Sequence, residues 1–134
     1  MNYYHVIDEF INAGVDINSK SNNFHHNYNA LFLAIETAKN YELVKALIDL
    51  GADVHDKDLT GNNALFIACR NFKENSDSIK IVELLLSKKV SIESKNTSGV
   101  SVKSYVNMIG EAIDHGHNPN SFDLRPLISE DFRN

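Results

Sequence analysis

The chain of 134 residues has one cysteine, no tryptophan, two prolines and six glycines. Its lone thiol, Cys69, can neither close an intrachain disulfide nor build a cysteine-based zinc site, so an apolar core must hold the fold. A reducing compartment suits such a chain. Long hydrophobic runs are also missing: the longest, Ala30 to Ile35 and Ala64 to Cys69, fall far short of the ~20 apolar residues a bilayer-spanning helix needs. The start, MNYYHVIDEF, lacks a basic segment followed by an apolar one, and so reads as neither a secreted precursor nor a membrane protein. There is no excess of positive charge. Thirteen Lys and Arg against 18 Asp and Glu give a net charge of -5 at pH 7, which repels a phosphate backbone and argues against nucleic acid as a partner. What remains is one domain of ordinary size, expected in the cytoplasm of the producing cell or of a host cell. Asparagine (17) and isoleucine (12) are abundant, a bias that reads as the codon usage of an AT-rich genome.

Internal repetition organises the sequence. Asn29-Ala30-Leu31-Phe32-Leu33-Ala34-Ile35 recurs as Asn63-Ala64-Leu65-Phe66-Ile67-Ala68-Cys69, with five of seven residues identical at an offset of 34. A second element follows each copy, since Leu43 to Val54 aligns with Ile81 to Ile92. The same pattern recurs near the start at Ile7, Phe10, Ile11, Gly14, Asp16, Ile17 and Asn18, and near the end at Ile109, Ala112, Ile113, Gly116, Asn118 and Asn120. Val44, Leu47 and Ile48 have i, i+3, i+4 spacing, which gives a helix one apolar face, and Gly51 or Gly14 supplies a left-handed residue to end it. Asn29 and Asn63 sit where helices begin, because an Asn side chain accepts a hydrogen bond from the free amides of a first turn. Ala30, Ala34, Ala64 and Ala68 allow a neighbouring helix to approach closely. Lys57 to Asn62 is rich in turn formers, with Gly61 free to take positive φ, so a tight projecting turn is expected there.

The unit of turn, helix, short loop and helix resembles the ankyrin repeat. Asp58-Leu59-Thr60-Gly61-Asn62-Asn63-Ala64-Leu65-Phe66-Ile67-Ala68 is similar to that family's Asp-x-x-Gly-x-Thr-Pro-Leu-His-x-Ala stretch, and Leu47-Ile48-Asp49-Leu50-Gly51-Ala52-Asp53-Val54 to its Leu-Leu-x-x-Gly-Ala-Asp-Val close. The resemblance covers residues 4 to 121 and implies an all-α fold, a short ankyrin-repeat solenoid with partial repeats at both ends. The segments are a partial repeat at 1–20, repeats at 21–57 and 58–95, a truncated capping repeat at 96–121 and a tail at 122–134. Terminal repeats are expected to be atypical because their outer faces meet water.

Departures from the family pattern are specific. Phe32 and Phe66 replace its His, exchanging a polar contact for apolar packing, and Ala30 and Ala64 replace its Pro, so these helices start less rigidly. The turn Ser21 to Tyr28, which includes Phe24, is lengthened by three positions on the side these proteins use for contact. A surplus in Arg70 to Ser78 reads as a longer outward loop. Ser98-Gly99 reaches Ile109 with too few residues for two full helices, so Val102, Tyr105, Val106, Ile109, Ala112 and Ile113 read as one amphipathic helix closing the stack. Leu124, Leu127, Ile128 and Phe132 are the packing candidates of the tail.

No residue set supports catalysis, and no cofactor or metal is expected. His25 and His26 are adjacent but have no Cys, Asp or Glu within six residues on either side, which favours a polar contact surface over a metal site. His115 and His117 flank a helix end, where a cation complements the dipole. Cys69 lies on the small-residue face, without the exposure or base a nucleophile needs. Asp8 and Glu9 diverge by about 100 degrees on a helix and cannot converge on one substrate atom.

The resemblance therefore implies a noncatalytic module that binds another protein through projecting turns and a concave face. By position in the repeat, the contact candidates are His25, His26, Tyr28, Glu36 and Thr37 from the first complete unit, and Leu59, Thr60, Asn62, Arg70 and Asn71 from the second. Tyr28 and Leu59 are the expected anchors, read as an exposed aromatic and an exposed leucine on turns. The AT-rich composition favours a viral or intracellular-bacterial protein that engages host proteins. Two alternatives stay open: an immunity or antitoxin protein whose negative charge neutralises a basic toxin, and a structural subunit assembling through Tyr3, Tyr4 and Phe10. A monomer is expected over a homodimer.

Overall fold

A computed structural model describes residues 2–20, 28–37, 40–117 and 121–128, with the side chain of Thr37 left out. Asparagine starts most of the helices. Its side-chain oxygen accepts the amide of the third residue on at Asn2 (His5, 3.2 Å), Asn29 (Phe32, 2.8 Å), Asn40 (Leu43, 3.2 Å), Asn63 (Phe66, 2.9 Å) and Asn75 (Ser78, 2.8 Å). These open α1 (Tyr3–Asn12), α2 (Ala30–Thr37), α3 (Tyr41–Asp49), α4 (Ala64–Arg70) and α5 (Ser76–Ser87). Each such cap is worth about 1 kcal/mol over alanine. Beyond Asn29 and Asn63, expected as caps, Asn2, Asn40 and Asn75 thus give the abundance of Asn a structural use that codon bias does not account for. Ser101 opens α6 (Val102–Asp114) through a capping box with Ser104, and α7 (Arg125–Ile128) follows. Among the described residues there is no strand, only an isolated bridge between Lys57 and Asn63.

The helices stand in two rows. α2, α4 and α6 pack side by side in an inner row, and α1, α3, α5 and α7 in an outer row, with α2 on α3, α4 on α5 and α6 on α7 joining them. The core lies between the rows. Phe32, Leu65, Ile67, Val44, Val82 and Leu85 are wholly buried there, each contributing roughly 1.5–3 kcal/mol of transfer free energy. Helix ends follow the glycines, with φ of +95° at Gly14 and +114° at Gly51. In the third copy Lys89 holds the same left-handed place at φ +65°.

Three expectations change. The surplus expected as a longer loop at Arg70 to Ser78 is divided: five residues, 71–75, separate α4 from α5 where three, 38–40, separate α2 from α3, and Ser76, Asp77 and Ser78 lengthen α5 by nearly a turn, because Asn75 caps it early. Ala30 and Ala64 are expected alike to let a neighbouring helix approach closely. Ala64 is buried against neighbouring helices, but Ala30 is exposed because no inner helix stands before α2 among the described residues. Finally, Ile109 to Gly116 was aligned with the second helix of a repeat. Val102–Asp114 is indeed one continuous helix, but it packs on α4 in the inner row, and α7 takes the outer position beside α5.

Candidate functional site

The projecting turn 58–62 is built around one carboxylate. Asp58 Oδ1 accepts from the Thr60 amide (2.9 Å), the Thr60 hydroxyl (3.0 Å) and the Asn62 amide (2.9 Å). The Asn62 side-chain amide donates back to Asp58 Oδ2 at 3.2 Å, and the Asp58 amide to the Asn62 carbonyl at 2.9 Å. Asn96 plays the same part in the next turn, accepting from the amides of Ser98 (2.9 Å) and Val100 (3.0 Å). The two turns then bind each other, Asn96 Nδ2 donating to Asn62 Oδ1 and the Thr97 amide to the Thr60 carbonyl, both at 2.9 Å. Gly61, at φ +81°, makes this closeness possible, since a Cβ there would lie 3.1 Å from the Asn96 Cα. The polar groups of the turns are therefore turned inward to one another. Leu59 alone points a large apolar side chain to water, 72% exposed.

Tyr28 does not behave as expected. It is 1% exposed, its ring set edge-on to Phe32 at 5.6 Å, so it is a core residue and not an exposed anchor. Its hydroxyl accepts from Arg70 Nη2 at 2.9 Å and is hydrogen-bonded to Glu36. Burial, and next the bond to Glu36, push its pKa up to about 12, so the phenol is neutral at physiological pH. The structure thus joins three of the expected contact residues, Tyr28, Glu36 and Arg70, in one network. Asn62, also expected at the contact face, is 5% exposed because both ends of its amide are spent within and between turns.

The other candidates divide. Arg70 is exposed at the end of α4, its guanidinium 5.9 Å from the Phe66 ring centroid. Asn71 is half-buried and donates to the Ile67 carbonyl at 2.9 Å, closing α4. Thr60 is half-buried in the turn. His25, His26 and Phe24 lie outside the described residues, as does Phe132, and Thr37 is placed by its backbone alone.

Sequence reasoning missed an open cavity of about 360 Å³ beyond the end of α4, lined by Arg70, Phe72, Tyr105, Ile109, Phe122 and Leu124 among others. Phe72 and Phe122 stack there at 4.9 Å. Tyr105, Val106 and Ile109 of α6 line one side of it, and α6, at 13 residues, is nearly twice the length of α4, at seven, a mismatch that the amphipathic pattern of α6 could have revealed. Met108, 57% exposed on α6, was missed too. Cys69 also borders the cavity but is 4% exposed, and burial pushes its thiol up to about 12, so it is no nucleophile at neutral pH. Among the described residues no group of three or more His, Cys, Asp or Glu is placed to hold a metal ion. No described helix is long and apolar enough to cross a membrane.

Paired helices in register, with linked turns projecting from one edge, are the architecture the sequence motifs implied, and residues 1–96 match the family described as Ankyrin repeats (3 copies). The chain belongs to the ankyrin-repeat family. No curated protein matches it in sequence. Ankyrin repeats generally serve as protein–protein interaction modules and are typically noncatalytic.

Proposed function

We propose that this ankyrin-repeat protein is a noncatalytic binding module that docks a partner protein on the edge formed by its turns and inner helices. Leu59 carries this reading. Its turn satisfies its polar groups internally and is braced by the next turn, so the exposed leucine sits on a support that need not reorganise on binding. Such preorganisation lowers the cost of association. Arg70 and Glu36, linked through the Tyr28 hydroxyl, sit at the ends of the neighbouring inner helices α4 and α2, and Arg70 is exposed there as a charged contact. In keeping with the AT-rich composition, the partner of this reading is a host protein.

Photo-crosslinking tests the assignment of the face. A photoreactive amino acid replacing Leu59 should give a discrete heteromeric adduct in the cell where the protein acts. The same probe at Glu83, exposed on α5 in the outer row, should not. Equal labelling from both positions would reject this edge as the contact face.

A further inference from the structure

Beyond the end of α4, aromatic rings and unspent cations meet in one concavity. Phe72 and Phe122, their ring centroids 4.9 Å apart, form one wall of the cavity, and Tyr105 of α6 forms another. All three rings are half-buried, so each keeps part of its apolar surface free of the fold. The volume of about 360 Å³ is at the small end of ligand sites, which run roughly from 300 to 1,000 Å³.

Charge is set in the same place, within a chain of net charge -5. Arg70 and Lys73 both line the cavity and both are exposed, and neither forms an ion pair with a carboxylate among the described residues. Arg70 donates through Nη2 to Tyr28, which leaves other N–H groups of the five on a guanidinium for a ligand. The Tyr105 hydroxyl makes no hydrogen bond among the described residues, and burial, above all, raises its pKa, so it is a proton donor at neutral pH. Glu74 is the one carboxylate of the lining.

We infer that this cavity captures the C-terminal residue of a partner protein, an aromatic one, whose ring enters among Phe72, Phe122 and Tyr105 and whose free carboxylate takes Arg70 and Lys73. Capture of a terminal carboxylate is a recurring mode of peptide recognition. Size and charge select this occupant. A terminal residue has its ring and its carboxylate on one Cα, which suits a small cavity, and its backbone N–H leaves Glu74 something to accept. An internal aromatic residue with acidic neighbours would spread ring and charge over several residues and bring further carboxylates toward Glu74. The inference rests on the reading of the chain as a binding module and names the chemistry of one contact. Leu59 stands before α4 and the cavity beyond its end, so failure of crosslinking at Leu59 and failure of terminus capture are separate results.

The absence of tryptophan from the chain makes tryptophan emission a direct probe. The peptide acetyl-Gly-Ser-Gly-Trp with a free C-terminus, titrated with the intact protein, should show a saturable blue shift, with a dissociation constant on the order of 100 μM. Amidation of its terminus should weaken binding by about tenfold or more, Lys73→Gln by about threefold, and Leu59→Asp should leave it unchanged. Lys73 is exposed and its side chain makes no hydrogen bond among the described residues, so Lys73→Gln should keep the parent's melting temperature. No saturable shift, or equal binding of the acid and the amide, would overturn the inference. So would tighter binding of acetyl-Gly-Glu-Trp-Glu-Gly-amide, which would give the cavity to an internal acidic segment. Indole-3-acetate has the ring and the carboxylate but no amide for Glu74 and should bind more weakly than the free-acid peptide. Binding as tight as the peptide's would give the cavity to a small aryl acid and overturn the inference as well.

Discussion

Arg125 crosses α6 directly over Gly110, so closely that a Cβ on Gly110 would overlap its guanidinium. From there Arg125 reaches both oxygens of Asp114 (2.8 and 2.9 Å) and both of Asp123 (2.7 to 3.2 Å). This clasp fixes α7 in the outer row, where Leu124 and Ile128 are 6% and 3% exposed. Glycine inside a helix ordinarily costs about 1 kcal/mol relative to alanine. The sign should reverse here: Gly110→Ala should lower the melting temperature by expelling Arg125. With Arg125→Ala already present, Gly110→Ala should stabilise by up to about 1 kcal/mol. A double-mutant cycle in urea measures the reversal.

The same clasp sets an acid response. Hydrogen bonds from Arg125 hold the Asp114 and Asp123 carboxyls below their usual range. A lowered folded-state pKa gives stability that is present above the ordinary carboxylate range and lost as pH falls through the folded value. Hydrogen exchange at the Leu127 and Ile128 amides, both bonded to the Leu124 carbonyl, should therefore accelerate below pH ~4. Amides of α4 should stay protected over the same interval.

Asparagine caps differ in what their second polar atom does. Asn63 Nδ2 donates to the Ser91 carbonyl at 2.9 Å while its oxygen caps α4. Asn75 caps α5 with its oxygen and makes no such link among the described residues. Aspartate caps as well as asparagine, but at position 63 it would turn a carboxylate oxygen on the Ser91 carbonyl. Asn63→Asp should cost about 1–3 kcal/mol, and Asn75→Asp should be neutral or slightly stabilising through the helix dipole. Denaturant midpoints of the two variants should differ accordingly.

Local signals were the ones legible in the sequence. Asn29 and Asn63 as helix starts, and Gly14 and Gly51 as stops, depend on bonds within a few residues, and the repeat spacing supplied the rest of the architecture. The fate of Tyr28 was not legible, because its hydroxyl is satisfied by Arg70, 42 positions away. Asn62 looked like a turn residue free for contact until Asn96 of the next turn met it. The end of the chain read as a tail because a four-residue helix carries little periodicity, and its place depends on Arg125 finding the one gap in the face of α6, at Gly110.

Lys89 occupies with φ +65° the position that Gly51 fills at φ +114°. A side chain in the left-handed region costs roughly 1–2 kcal/mol. Lys89→Gly should therefore raise stability by about 1 kcal/mol despite the added freedom of the unfolded chain. Gly51→Ala should lower stability by a similar amount. Thermal melts of the pair test the shared register directly, since a Lys89 not in the Gly51 place would not gain from glycine.

Alkaline unfolding should report on Cys69. Burial raises its pKa from 9.0 to about 12, and Tyr28, raised from 10.0 to about 12, adds to the effect. A raised folded-state pKa means that the folded chain keeps its proton longer than the unfolded one. The stability gained is thus complete below pH 9 and drains away as pH climbs toward 12. Cys69→Ala removes the thiol and should cost about 1 kcal/mol at neutral pH for the small cavity left. The variant should then lose less stability than the parent between pH 9 and 11, so the two curves converge. Equal slopes over that interval would mean that Cys69 ionises as readily in the folded chain as in the unfolded one. A thiol-reactive dye gives an independent reading, since labelling of the parent should follow unfolding and be negligible while α4 stays packed.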